Sequence, residues 1–432
     1  MKDWKEEYRK KICSPDEAVT NIRNNDRIIF GHACAESMVI TDALVRNKKL
    51  FKNIEIIHLV AMGKGEYAKE ENKEYFRHNA FFAGATTREA VNSSYGDFTP
   101  SFFYEIPKLF KEKLKPNVAI IQVSQPDEHG YCSFGIACDY TKSAAENADL
   151  VIAQVNKYMP RTLGNSFIHV NDIDHIVEHD EKITELKIPL IGEVENKIGE
   201  FCASLINDGD TLQLGIGAIP DAVLTFLKEK KDLGIHSEMI SDGVVDLVNL
   251  GVITNKKKNV NKGKSIISFL MGTEKLYKYV DNNPEVELHP VDYVNNPLVI
   301  AQNDNMISIN SAIQVDLMGQ VNSETIGSKQ FSGTGGQVDF VRGASMSKGG
   351  KSIIALPSTA AKGTISKIVF RLDEGSAVTT SRNDVDYVVT EYGIAALKGK
   401  TLRERAKELI AISHPKFREE LTRKALEKFK KL

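Results

Sequence analysis

The chain has 432 residues, which at roughly 100–200 residues per domain suits two large domains or three smaller ones. Hydrophobic residues make up 42% and charged residues 26%, the balance of an ordinary soluble globular protein. The 56 basic and 58 acidic residues leave a net charge of −2, so no bulk field favours nucleic acid or an anionic membrane, and any anion recognition must be local. No apolar run approaches the roughly 18 residues needed to span a bilayer. The stretch "MKDWKEEYRKKI" is charged and lacks a hydrophobic signal segment, which makes the cytoplasm the expected compartment.

In chain order, "SPDEAVTNI" opens a helix, with Ser14 as N-cap, Pro15 in the first turn and Glu17 completing a capping box. "DRIIFGHACAE" reads as a strand entering a loop of small residues. "IEIIHLVAMGKGEY" repeats that shape and stops at Gly63 and Gly65. "VAIIQVSQPDEHGYCSFG" and "DLVIAQVN" are further strands. Helical segments such as "TDALVRN" and "DYTKSAAENA" lie between them. Short, continuous apolar strands alternating with helices indicate parallel βαβ units buried on both faces, an α/β fold. Near residue 185 the pattern restarts. "IPLIGEVENKIGEFCASLI" is a helical approach to "TLQLGI", followed by "GIHSEMISDGVVDLVNL" and "KSIISFLMGTEKLYKYV". A boundary is expected within 185–195, giving domains of 1–188 and 189–432 with a shared cleft.

The five cysteines, Cys13, Cys34, Cys132, Cys138 and Cys202, are odd in number and scattered, so they read as reduced thiols, mostly buried. Cys132 and Cys138 have no second pair nearby to complete a zinc site. His32, His129, His236 and His414 lie in unrelated contexts without an H-E-x-x-H motif, so no metal is expected. No G-x-S-x-G serine elbow occurs either.

Three glycine-bearing or turn segments are candidates for chemistry. In "QLGIGAIPDA", Gln213 to Ala222, a strand ends, Gly215 and Gly217 turn the chain, and Pro220-Asp221 begin a helix. Amide groups at such a turn suit an anion or oxyanion, although a plain αβ turn looks the same. It is not a dinucleotide fingerprint, because Pro220 stands at the third glycine position. In "FSGTGGQVDFVRGASMS", Gly333, Gly335 and Gly336 either expose backbone donors or form a tight hairpin-like loop. "SKGGKS" fails as a phosphate loop, since Ser345 occupies the required first glycine position. In "VTEYGIAALKGKTLRERA", Glu391 follows a strand and precedes a turn, as a site carboxylate or an exposed cap.

The stretch "LGIHSEMISDGVVDL" reads as a strand running into a helix, with Glu238 near the strand's carboxyl end among small and apolar residues. Sites of parallel sheets form at such ends. The carboxylate there suits a general base, a nucleophile or one half of a structural ion pair. As a nucleophile it needs an activated acyl group and an oxyanion hole.

Six segments in order, "QLGIGAIPDAVL", "HSEMISDGVVDL", "SFLMGTEKLY", "KQFSGTGGQVDFVRGA", "TTSRNDVDYVVTEYGIAALKGK" and "ISHPKFREEL", together resemble the acetyl-CoA hydrolase/transferase family, a branch of the family I CoA-transferases. The resemblance covers essentially the whole chain. It implies two CoA-transferase-type open α/β domains with mostly parallel sheets, a site between them, and a homodimer. It implies ping-pong transfer of CoA between a short-chain acyl-CoA (4-hydroxybutyryl-CoA or butyryl-CoA) and a carboxylate such as acetate. Coenzyme A is then a substrate, with no tightly bound cofactor. By resemblance Glu238 is the nucleophile that carries the glutamyl-CoA thioester. Gly215, Ile216, Gly217, Ala218 and Ile219 match a CoA-contacting loop. Gly336 matches a glycine serving CoA or the oxyanion, and Lys362 a CoA-contacting lysine. Gln213, Asn295 and Glu391 match the acyl site, with Asn296 adjoining Asn295 as a one-residue alternative. The same residues would serve acyl-CoA hydrolysis if water reached the intermediates. A non-catalytic CoA- or metabolite-binding protein on the same fold is the rival of another class.

Overall fold

The computed structural model describes residues 4–187 and 189–431, so Ile188, the expected domain boundary, lies outside the described residues. The chain divides into two compact units. One comprises Met1–Leu186 and Ile266–Val294, the other Lys187–Ser265 and Asn295–Leu432. A single cut near 188 therefore does not describe Ile266–Val294, which includes much of "KSIISFLMGTEKLYKYV". This segment clusters with the first unit because its strand Val286–Leu288 pairs in parallel with Leu163–Gly164. No helix among the described residues is long and apolar enough to cross a membrane.

In the first unit, helix α1 (Pro15–Val19) carries the expected capping box. Glu17 N donates to Ser14 Oγ at 3.2 Å, and Ser14 N donates to Glu17 Oε2 at 2.8 Å. Strand β1 (Arg27–Phe30), helix α2 (Met38–Arg46) and strands β2 (Ile54–His58), β3 (Phe76–Ala80), β4 (Gly96–Phe98) and β5 (Val118–Val123) follow. Helix α3 (Thr141–Asn147) and strands β6 (Leu150–Val155) and β7 (His175–Glu178) complete the pattern. The sheet order is β7-β6-β5-β1-β2-β3-β4, with every pairing parallel. All six residues of β5 are buried, as expected of a strand covered on both faces. One side of the sheet packs Ile28, Phe30, Ile56 and Ile120 against Ile40 and Leu44 of α2. The chain runs from β1 outward through β4, then resumes at β5 on the other side of β1. This places a strand-order switch between β1 and β5.

The second unit contains helix α4 (Glu193–Ser204), strand β8 (Thr211–Leu214), helix α5 (Ala218–Thr225), strands β9 (Gly234–Ile235) and β10 (Met239–Ile240), and helix α6 (Asp242–Asn249). Strand β11 (Met306–Ser311), helix α7 (Gln337–Met346) and strands β12 (Lys351–Ala355), β13 (Tyr387–Thr390) and β14 (Gly393–Ala396) follow. Here the order is β10-β8-β11-β12-β13-β14, with β9 also on β8. Strands β8, β11, β12 and β13 are mutually parallel, so their carboxyl ends share one edge. Strand β14 returns antiparallel on β13. Lys351 of "SKGGKS" opens a strand and not the helix a phosphate loop requires. The "FSGTGG" segment ends on Gly336, the N-cap of α7, so it is a loop feeding a helix N-terminus.

Candidate active site

The strand expected to run straight through "LGIHSEMIS" is broken. Strand β9 pairs parallel with β8, whereas Met239 of β10 bridges Leu214 antiparallel, and His236–Glu238 form the reversal between them. Long-range bonds fix that reversal. Leu214 N donates to Ser237 Oγ at 3.3 Å, and Ser237 Oγ donates to Leu214 O at 3.2 Å, tying the bend to the end of β8. The buried Lys258 ammonium donates to Ile235 O and Lys264 O, both at 2.7 Å. Ile235 N donates to Asn255 Oδ1 at 2.8 Å. Glu238 is thus half-buried at a rigid reversal beside the carboxyl edge of the sheet.

Two further segments meet Glu238. Asn295 Nδ2 donates to Glu238 Oε2 at 2.7 Å and lies 3.4 Å from Asp339 Oδ2, so one carboxamide ties two carboxylates. The neighbouring Asn296 serves a helix instead. Its Oδ1 accepts Leu298 N at 3.0 Å and caps the short helix Pro297–Ile300. Gly336 lies against the Glu238 carboxylate. A Cβ at this position would run into Glu238 Oε2 and Asn295 Nδ2 and stand 2.9 Å from Glu238 Cδ. Gly336 is the N-cap of the ten-residue α7, so Glu238 sits at a helix N-terminus, where the partial positive charge favours an anion. Asp339, 1% exposed, occupies the first turn of that helix.

The Gly215–Ile219 loop leaves β8 at the same edge and enters α5. Gly217 has φ +117°, a conformation side chains disfavour. A Cβ on Gly215 or Gly217 would meet nothing within 4 Å, so this backbone is open to a ligand. Ile216 is exposed and Ile219 is buried. Ser241 Oγ donates to Asp221 Oδ1 at 3.0 Å, linking the starts of α5 and α6. Burial, with the nearby Asp242 charge, pushes the Asp221 carboxyl up.

Of the remaining expected residues, Gln213 and Glu391 belong to the same sheet but make other contacts, and Lys362 lies in a separate two-stranded hairpin. Gln213 is buried in β8 and exchanges hydrogen bonds with Asn310 of β11, at 3.3 and 3.1 Å. Glu391 follows β13, three strand spacings from β8, or about 14 Å in all. Its carboxylate accepts Ser358 N at 2.8 Å and Ser358 Oγ at 2.5 Å. Burial pulls the nearby Lys367 ammonium down to about 8, with the Glu391 charge opposing. Lys362 is exposed in the turn after Thr359–Ala360, with φ +54°. Among the described residues, no group of three His, Cys, Asp or Glu side chains is arranged to hold a metal ion. Cys34, Cys132, Cys138 and Cys202 are buried free thiols, and Cys13 is partly buried.

Sequence reading missed Asp339, Ser237, Ser358, Lys258 and Lys367. The signal for Asp339 was present: it stands three residues after Gly336 in "GGQVDF", where a first-turn acid is ordinary and its burial is not. Nothing local to Lys258 marks it as a brace for a strand more than twenty residues earlier.

An open α/β unit with a carboxylate set at a glycine-capped helix N-terminus, beside a glycine loop open above its backbone, is the arrangement of an acyl-transferring enzyme. The acetyl-CoA hydrolase/transferase N-terminal domain matches residues 1–187 and the corresponding C-terminal domain matches residues 272–425. The chain belongs to the acetyl-CoA hydrolase/transferase family. It is 64% identical to the 4-hydroxybutyrate coenzyme A transferase of Clostridium kluyveri, covering 99% of this chain and 100% of that protein. It is 37% identical to the butyryl-CoA:acetate CoA-transferase of Anaerostipes caccae, covering 98% and 97%. The crystal structure of a 4-hydroxybutyrate CoA-transferase from Porphyromonas gingivalis superposes with a TM-score of 0.86 at 45% identity, covering 99% and 100% of the two chains.

Proposed function

We propose that this protein transfers CoA between a short-chain acyl-CoA, 4-hydroxybutyryl-CoA or butyryl-CoA, and a carboxylate such as acetate, with Glu238 as the nucleophile. The observation that carries this reading is the Glu238 carboxylate held by Asn295 against Gly336 at the N-terminus of α7. The names of the similar proteins support the substrate class. The family likeness also supports a cytoplasmic homodimer in which CoA is a substrate and not a resident cofactor.

In the first half-reaction, a Glu238 oxygen attacks the thioester carbonyl, the C–S bond breaks, and CoA leaves as the thiolate. The product is an acyl-glutamyl anhydride. The thiolate then attacks Glu238 Cδ, the anhydride C–O bond breaks, and the acyl group departs as its carboxylate. Glu238 is left as a CoA thioester. The second carboxylate attacks that thioester and runs the sequence in reverse. When the thiolate attacks Cδ, negative charge develops on the glutamyl oxygen that stays in place. Oε2, already held by Asn295 Nδ2 and lying against Gly336, is that oxygen. The open Gly215–Ile219 loop and the exposed Lys362 serve the CoA body in this reading. Remote binding of CoA helps drive the chemical step, so short thiol analogues lose kcat as well as affinity.

Removing the Asn295 donor is expected to cost about 10²–10³-fold in kcat, the usual effect of losing one oxyanion donor. Steady-state kinetics of Asn295→Ala checks this: a kcat within threefold of wild type would remove Asn295 from the oxyanion role. The activity itself is tested by incubating butyryl-CoA with and without acetate. Acetyl-CoA formed only when acetate is present is the expected result. Free CoA accumulating without an acceptor would assign the protein as a hydrolase. Neither product, together with saturable CoA binding, would leave a non-catalytic binding protein.

A further inference from the structure

Asn295 is fully buried, and its single carboxamide stands between two carboxylates. Its Nδ2 donates to Glu238 Oε2 at 2.7 Å and to Asp339 Oδ2 at 3.4 Å, so both amide hydrogens face acids. On the other side, Asn295 Oδ1 is buried and accepts no hydrogen bond among the described residues. Nothing described there orients the amide from its oxygen end. Turned end for end, the group would set Oδ1 against two carboxylates, and ionised carboxylates only accept. The two acids therefore keep the nitrogen forward.

These two acids are not equivalent during turnover. Glu238 is an anion only until it attacks the acyl-CoA. As the anhydride, and then as the CoA thioester, it is a neutral acyl group. Its hold on the amide then weakens, because hydrogen bonds to an ionised acceptor are roughly twice as strong as those to a neutral one. Those are the stages at which Asn295 must present its N–H, since charge develops on Glu238 Oε2 whenever the glutamyl carbonyl is attacked. Asp339 undergoes no such change. It is 1% exposed and sits in the first turn of α7, where the helix dipole favours a carboxylate. Its neighbours Val338, Phe340 and Val341 are buried, and Phe340 N donates to Gly336 O at 3.0 Å, so the turn that carries it is fixed.

We infer that Asp339 is a positioning residue for the transfer reaction: it holds the Asn295 carboxamide with its nitrogen toward Glu238 during the stages in which Glu238 is a neutral acyl group. This role rests on the reading of Glu238 as nucleophile. Asp339 itself touches neither CoA nor the acyl group in this account and acts through Asn295. Its removal should therefore slow attack on the glutamyl thioester and leave carboxylate binding nearly unchanged.

The test is Asp339→Asn, which keeps the size of the side chain but lets the two amides pair either way round. Wild type and variant are loaded with butyryl-CoA, freed of excess and mixed with acetate, and loss of the CoA mass is followed by rapid-quench mass spectrometry. The maximal discharge rate is expected to fall about 10-fold, with the half-saturating acetate concentration within about threefold and the melting temperature within a few degrees. In an Asn295→Ala background the same substitution is expected to change kcat by less than about twofold, because no amide is left to orient. An unchanged discharge rate overturns the inference. So does a loss that multiplies in full with that of Asn295→Ala, which a merely structural role would give. Should Asp339→Asn not fold, Asp339→Ser is measured in the same way, and failure of both to fold assigns this carboxylate to the structure and overturns the inference. The two readings fail separately. A wild type that carries CoA on Glu238, beside an indifferent Asp339→Asn, removes only the role of Asp339. A wild type that never acquires CoA removes the transferase reading, and this role with it.

Discussion

Replacing Glu238 by glutamine is expected to lower kcat for CoA transfer by on the order of 10⁴-fold or more while the fold persists. The carboxamide has the same shape and can still accept the Asn295 Nδ2 hydrogen bond through its carbonyl oxygen. It cannot form the anhydride, because an amide is a poor nucleophile and carries no charge for the N-terminus of α7 to stabilise. The reversal that carries residue 238 is held by Ser237, Lys258 and Asn255, none of which the substitution touches. The thermal midpoint should therefore stay within a few degrees of wild type. Transfer at more than about one per cent of the wild-type rate in a folded Glu238→Gln protein would mean that the nucleophile lies elsewhere.

Gly336→Ala is expected to lose about 10²-fold in kcat/KM, with much less effect on stability. The added methyl would occupy the place of Glu238 Oε2 and Asn295 Nδ2, so the carboxylate must withdraw. A displacement near 1 Å is enough to spoil a near-attack geometry and to break the Asn295 contact. Backbone strain does not enter, because φ at Gly336 is −90°, which alanine adopts readily. The loss should appear mainly in kcat, since what is displaced is the attacking group and its oxyanion partner. Steady-state kinetics beside a thermal melt separates the cases. A variant that melts as wild type does and keeps its kcat would show that contact between Gly336 and Glu238 is not needed for chemistry.

Much of the scaffold was legible because its determinants are local. The runs "VAIIQV" and "LVIAQV" are continuous and apolar, and they are buried parallel strands. The Ser14–Glu17 box depends on four consecutive residues and is formed as its spacing dictates. The Gly215–Gly217 turn at the end of β8 was equally plain. The break in the strand before Glu238 was not legible, because its causes are distant. Ser237 reaches back 23 residues to Leu214, and Lys258 reaches 23 residues back to Ile235. Hydrophobic pattern alone makes "GIHSEMI" a single strand.

The site was half legible in the same sense. Glu238 stood out as a carboxylate at a strand end, with general base, nucleophile and ion pair all open. Its setting comes from Asn295, 57 residues further on, and from Gly336 at the cap of α7, a convergence that only tertiary structure makes. The ambiguity between Asn295 and Asn296 is also tertiary: identical side chains divide between the carboxylate and a helix cap.

The central claim is that Glu238 becomes covalently bonded to CoA during turnover. Intact-protein mass spectrometry after adding butyryl-CoA without an acceptor tests it directly, followed by mapping of the modified peptide. The expected result is a CoA-sized mass increase on the peptide containing Glu238, discharged by acetate and absent from Glu238→Gln. An unmodified wild-type protein that still transfers CoA, or an adduct that persists in Glu238→Gln, would contradict it.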